Sequence, residues 1–154
     1  MHPSHLSYTA YAFSGPRKLD LEQRERVYQF LSEFPRSEAK KSILVGDAPG
    51  LDALIREALD CQIFEVEGSD RAAFANRTLR MIKALSEHEK PCLYAFPNKP
   101  CPVGCYPKKL PSGKGSGTWL AIAAARHLEI QVKIVQLVSF DLPDWLHYSQ
   151  LSLF

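Results

Sequence analysis

The stretch Pro111-Ser112-Gly113-Lys114-Gly115-Ser116-Gly117-Thr118, with Trp119 to Leu128 after it, restricts what this chain can fold into more than any other. Its first eight residues cannot pack a core, because three alternating glycines carry no side chain and admit positive φ. The ten residues that follow predict a near-continuous apolar helix, too apolar around its circumference for a surface position. A glycine turn feeding a buried helix leaves backbone N–H groups free at the positive end of the helix dipole. Such a site suits phosphate or another anion. Just upstream, Cys92 to Phe96 form an apolar run that predicts a buried strand. The unit is then strand, long loop, anion-binding turn, helix. A flexible linker before an ordinary core helix has the same composition, so the turns at the other strand ends decide between the two.

Taken in order, the chain supplies those turns. Leu6 to Ser14 is aromatic-rich and predicts a first strand, ended by Gly15-Pro16-Arg17. Leu19, Val27, Phe30, Leu31 and Phe34 then fall on one helical face, with Asp20 as N-cap and Pro35 as stop. A polar connector, Arg36 to Lys41, leads to a short buried strand at Ser42–Gly46, which turns at Asp47-Ala48-Pro49-Gly50. Leu51 to Leu59 predicts a second helix, and Gln62 to Val66 a third strand. A third helix from about Arg71 to His88 carries Phe74, Thr78, Met81, Ile82 and Leu85 as its stripe. Gln131 to Val138 predicts a fifth strand, and the tail from Ser139 to Phe154, with Trp145, Leu146, Tyr148 and Phe154, a short segment packed on the body.

Strands alternating with helices over short connections predict a single α/β domain over residues 1–154. It is a Rossmann-like three-layer fold with a five-stranded, mainly parallel sheet. Residues 6–138 form its core, 97–111 a loop insert and 139–154 a tail. Ligands of such sheets sit at the carboxyl ends of the strands, where the winding direction switches. That rule brings together the turns Gly15–Arg17, Gly46–Asp52, Asp70–Arg77 and Ser112–Thr118.

In this order and spacing, Ser14-Gly15-Pro16-Arg17, Val45-Gly46-Asp47-Ala48-Pro49-Gly50-Leu51-Asp52, Arg77 with Met81, and Gly115-Ser116-Gly117-Thr118 resemble the SLOG superfamily. The name comes from the Smf/DprA proteins and the "lonely guy" (LOG, lysine-decarboxylase-like) enzymes. The second motif resembles the glycine-alanine-x-glycine-x-aspartate turn of the small stand-alone members. The last resembles the family's glycine-glycine-x-glycine-threonine loop. The likeness spans roughly residues 8–138 and implies a Rossmann-like domain that binds nucleotides or nucleotide-derived ligands. It also implies a homodimer through exposed helix faces. Two features depart from it: the long insert from Pro97 to Pro111, and Ala121 where LOG enzymes place a glutamate three residues after the loop threonine. That glutamate serves N-glycosidic cleavage of a nucleoside 5′-monophosphate.

The candidate ligand-binding residues are Gly15, Arg17, Gly46, Asp47, Gly50, Asp52, Arg77 and the run Gly113, Lys114, Gly115, Ser116, Gly117, Thr118. Arg17 offers a bidentate fork for phosphate, or is a solvated turn charge. Asp52 is placed to accept ribose hydroxyls, while Asp47 is assigned to capping the second helix. Arg77 reaches inward over the strand ends and Arg80 is solvated. Lys114 is a phosphate contact, and Met81 is core. If the chain is an enzyme, Asp52 and Arg77 are the catalytic candidates, with Asp47 and Glu67 as the other carboxylates that could stand in for the missing glutamate.

The remaining totals exclude classes. Net charge of +2 and the absence of a basic aromatic stripe argue against a nucleic-acid partner. No apolar run approaches the ~18 residues of a spanning helix, and no signal peptide is visible, so a cytoplasmic protein without a membrane partner is expected. Four cysteines in this length do not describe a disulfide scaffold. Cys101-Pro-Val-Gly-Cys105 lacks a second compact ligand pair, so neither a metal nor a cofactor is expected. The leading expectation is a binding module, sensor or regulator for a nucleotide-derived small molecule. The alternative is a nucleoside 5′-monophosphate phosphoribohydrolase.

Overall fold

A computed structural model describes residues 7–146. Its strands are β1 (Ala10–Ser14), β2 (Ser42–Gly46), β3 (Gln62–Phe64), β4 (Pro91–Ala95) and β5 (Gln131–Ile134). Its helices are α1 (Leu21–Glu33), α2 (Arg36–Ala39), α3 (Leu51–Ala58), α4 (Arg71–Ser86) and α5 (Gly117–His127). The sheet runs β3-β2-β1-β4-β5 and every pairing is parallel. The chain winds outward from β1 through β2 to β3, then crosses over α4 to β4 on the other side of β1. The switch of direction therefore falls between β1 and β4, where Ser14 lies in register with Ala95.

Alternation along the strands builds two cores. Ala10, Ala12, Leu44, Leu93 and Val132 pack with Met81, Leu85 of α4 and Trp119, Ile122 of α5. Tyr11, Phe13, Ile43 and Val45 pack on the opposite face with Val27 of α1 and Leu54, Ile55 of α3. Both faces of the sheet are thus covered, which is why its central strands read as unbroken apolar runs. The small alanines of β1 on one face let the greasy α5 approach. On the other, Phe13 meets Phe30, Phe34, Tyr94 and Phe96 at ring-centroid distances of 5.5–6.3 Å.

Helix starts follow the expected chemistry. Asp20 caps α1, accepting the Gln23 N–H at 2.8 Å, and Asp70 caps α4, accepting the Ala73 N–H at 2.8 Å. Several boundaries differ. β1 begins at Ala10, and Leu6 lies outside the described residues. The connector after Pro35 winds into the short α2. β3 stops at Phe64 and β5 at Ile134, α4 ends at Ser86, and β4 runs from Pro91 to Ala95. Beyond β5 the backbone still follows its neighbour through Val135 N–H to Ala95 O at 2.9 Å and Leu137 N–H to Pro97 O at 3.1 Å. Of the tail, Leu146 is buried and Trp145 meets Trp119 edge-on at 6.2 Å; Tyr148 and Phe154 lie outside the described residues. Among the described residues, no helix is long and apolar enough to cross a membrane.

The α2 turn is fixed to the sheet by one side-chain bond, from the buried Tyr11 hydroxyl to the Glu38 carboxylate. Tyr11→Phe keeps the ring and removes that bond to a charged acceptor. A loss of about 1.5 kcal/mol is expected in urea unfolding, since bonds to charged groups contribute more than neutral ones. An unchanged midpoint would show that α2 docks without it.

Candidate functional site

A cavity of about 920 Å³ opens at the switch point. The four turns that the strand-end rule groups together all contribute to its wall, through Gly15 and Arg17, Gly46 and Asp52, Arg71 to Arg77, and Ser112 to Thr118. Thr78 and Met81 of α4 and residues 97–99 of the insert complete it.

The start of α5 forms one wall. Ser116 is the N-cap, its Oγ accepting the Trp119 N–H at 3.1 Å, while its own N–H closes the turn onto Gly113 O at 2.9 Å. A Cβ on Gly113 would lie 2.1 Å from Ser116 O, so the turn closes only around glycine. The N–H groups of Gly115, Gly117 and Thr118 have no partner among the described residues, and they sit at the positive end of an 11-residue helix. Two buried hydroxyls stand beside them: Thr118, and Thr78 of α4, whose Oγ1 is 3.9 Å from the Cβ position of Gly117. Lys114 lines the cavity with positive φ, but its stem lies across the insert, Cε 2.9 Å from the Cβ position of Gly104.

Asp52 and the guanidinium-bearing Arg77 form another part of the wall. Arg77 is buried and pairs with Asp47. The second oxygen of Asp47 accepts the Val66 N–H at 3.0 Å, so this side chain ties β2 to the segment after β3. Asp47 therefore does not cap α3, whose N-cap is Gly50 without any side-chain bond, and Asp47 does not line the cavity. Gly50 is likewise away from the cavity; it packs on the backbone of Pro16 and Arg17. Gly46 leaves room for the two charged groups, since a Cβ there would sit 2.7 Å from Asp52 Oδ2 and 2.9 Å from Arg77 Nη1. Arg56, which sequence reasoning did not single out, holds this turn by donating to Gly46 O and Ala48 O, each at 2.9 Å.

Asp52 is the one carboxylate lining the cavity among the described residues. It is buried, its Oδ2 accepts a long bond from Ala48 N–H at 3.3 Å, and among the described residues no cation lies within ion-pair distance of it. Burial pushes its carboxyl up to about 6, and the charges of Arg77 and Arg56 only partly oppose that rise. A buried acid with a raised pKa at a strand-end cleft is the pattern that functional groups favour.

Arg17 is exposed at the rim and lies over the Phe74 ring, 5.1 Å from its centroid. Arg80 is directed away, donating to Glu65 O at 2.6 Å. Ala121 is fully buried in the core on the α4–α5 side and does not line the cavity. Glu67 is exposed and outside the cavity too. Thr78 was legible only as a core position; the sole signal was a hydroxyl within an otherwise apolar stripe. Among the described residues, no group of three His, Cys, Asp or Glu side chains is placed to hold a metal ion. Comparison of the chain with family models, with curated proteins and with solved structures returned no match.

Proposed function

We propose that this chain is a small SLOG-like domain whose cavity binds a nucleotide or nucleotide-derived ligand, as a sensor or regulatory module. One observation carries the reading: at the start of α5, Gly115, Gly117 and Thr118, whose N–H groups have no partner among the described residues, line a cavity at the switch point together with the hydroxyl-bearing Thr78 of α4. Its volume of about 920 Å³ suits a small-molecule ligand. In this reading the phosphate sits against Gly115, Gly117 and Thr118, and Asp52 accepts ribose hydroxyls from its own part of the wall. Arg17 and Phe74 flank the entrance.

The test removes a single donor. Gly117 is the first residue of α5, where proline is favoured, and Ser116 before it is extended at φ −107°, ψ 113°, as a residue before proline must be. Gly117→Pro should therefore fold normally while losing one N–H. Binding of AMP by calorimetry should weaken roughly 10- to 150-fold, the value of a charge-assisted hydrogen bond. Equal affinity in variant and wild type, or no phosphate-bearing compound retained in native mass spectrometry, refutes the phosphate site.

A second reading, hydrolysis of an N-glycosidic bond, is favoured by Asp52 alone. With Ala121 buried, Asp47 bound to Arg77 and Glu67 exposed, Asp52 is the group left to assist ribosyl transfer. A carboxyl raised to about 6 is matched to general acid–base work near neutral pH.

A further inference from the structure

The insert carries a pair of thiols that neither reading uses. Cys101 and Cys105 bracket a turn in which Cys105 N–H bonds Pro102 O at 3.1 Å and Gly104 takes φ +89°. The Cys101 thiol donates to Cys105 O at 3.4 Å, which brings its sulfur against the backbone of the residue that carries the second thiol. The turn is also fastened to the beginning of α5. Cys105 Sγ–H donates to Trp119 O at 3.6 Å, Trp119 Nε1–H donates to Lys99 O at 2.9 Å, and the Lys114 stem rests on Gly104. Cys61 and Cys92 do not compete, because both belong to the packing on the opposite face of the sheet.

We propose that Cys101 and Cys105 are a reversible dithiol–disulfide site whose reaction partner is a low-molecular-weight disulfide, and that closing it loosens the insert from Trp119. Cys101, the less buried of the two, loses its proton to solvent, and its thiolate attacks one sulfur of that disulfide. One thiol is released and a mixed disulfide remains on Cys101. Cys105 then gives its proton to solvent, its thiolate attacks Cys101 Sγ, and the second small sulfur leaves as a thiolate that takes a proton from solvent. Two protein thiols are oxidised and one small disulfide is reduced to two thiols. A disulfide sulfur carries no proton, so closing the bond removes the Cys105 Sγ–H donor and with it the tie to the Trp119 carbonyl. The site and its test do not depend on what the cavity binds.

The test is exposure of the full chain to oxidised glutathione, acid quenching, alkylation and peptide mapping, with tryptophan emission followed in parallel. The expected product is a bond between Cys101 and Cys105, with loss of two hydrogens, reversed by dithiothreitol. An emission change should track its formation. In Cys105→Ser the second step is blocked, so glutathione should stay attached to Cys101. Failure of the internal bond to form in wild type overturns the proposal, as does pairing with Cys61 or Cys92. So does a disulfide that leaves tryptophan emission unmoved. Wild-type mapping alone is decisive should the variant fold poorly.

Discussion

Gly50→Ala should destabilise the domain by about 4 kcal/mol, lowering the melting temperature by roughly 8–16 °C for a chain of this size. Two costs add. Gly50 adopts φ +79°, ψ −128°, a region essentially closed to residues with a Cβ, and forcing alanine into it costs about 1–3 kcal/mol. The added methyl would also lie 2.4 Å from Pro16 O and 2.6 Å from Arg17 C, so the two strand-end turns must separate, a packing cost of about 1–3 kcal/mol more. The nearby bond from Leu51 N–H to Pro16 O, at 3.1 Å, would stretch with them. Gly115→Ala is the control. It has a similar φ of +93° but nothing within 4 Å of its Cβ position, so it should lose only about 1 kcal/mol. Thermal unfolding of the two variants side by side separates backbone strain from collision. A Gly50→Ala protein within about 1 kcal/mol of wild type would mean the two turns are not locked as described.

This contrast marks what the sequence could and could not convey. Gly50 and Gly115 look alike in the chain, each the glycine of a polar turn, yet one locks a neighbouring backbone and the other borders open space. Patterns set by local physics were legible: apolar runs for the buried strands, Asp20 before an amphipathic helix, and glycine turns at strand ends. From these the parallel α/β sheet and the convergence of the four turns followed. Contacts between distant segments were not legible. Asp47 looked like a helix cap because Leu51 follows it. Its partners, Arg77 and the Val66 N–H, lie 30 and 19 residues away. Thr78 looked like a core position because its neighbours on the α4 stripe are apolar, and only the packing of α4 beside the start of α5 brings its hydroxyl 3.9 Å from the Cβ position of Gly117 at the cavity wall. The strand ends were over-long in the reading because pairing stops where a partner strand stops, not where the apolar run does.

Asp52→Asn should stabilise the free protein at pH 7 by up to about 3 kcal/mol while impairing whatever the cavity does. Burial pushes the folded carboxyl to about 6, against an ordinary value of 3.8, and that gap corresponds to about 3 kcal/mol. The sign follows from proton counts. Between pH values of about 4 and 6 the folded chain holds a proton that the unfolded chain has released, so stability falls as pH rises through this window. Above it the carboxylate is ionised in both states, and the cost of keeping it buried stays constant. Asparagine keeps an oxygen for the Ala48 N–H and cannot ionise, so its stability advantage should be absent near pH 4 and complete near pH 7. Denaturant titrations of both proteins across that range measure the difference directly. A variant less stable than wild type at pH 7, or a difference that does not change with pH, would show that Asp52 is held as a satisfied structural carboxylate. The functional arm then separates the two readings of the site. If the chain is a binding module, wild type releases no free base from AMP and Asp52→Asn binds AMP more weakly. Multiple-turnover release of adenine by wild type, abolished in Asp52→Asn, would instead make Asp52 a catalytic residue. In either case the domain would be keeping an ionised acid in its cavity against its own stability, for the sake of the group that comes to meet it.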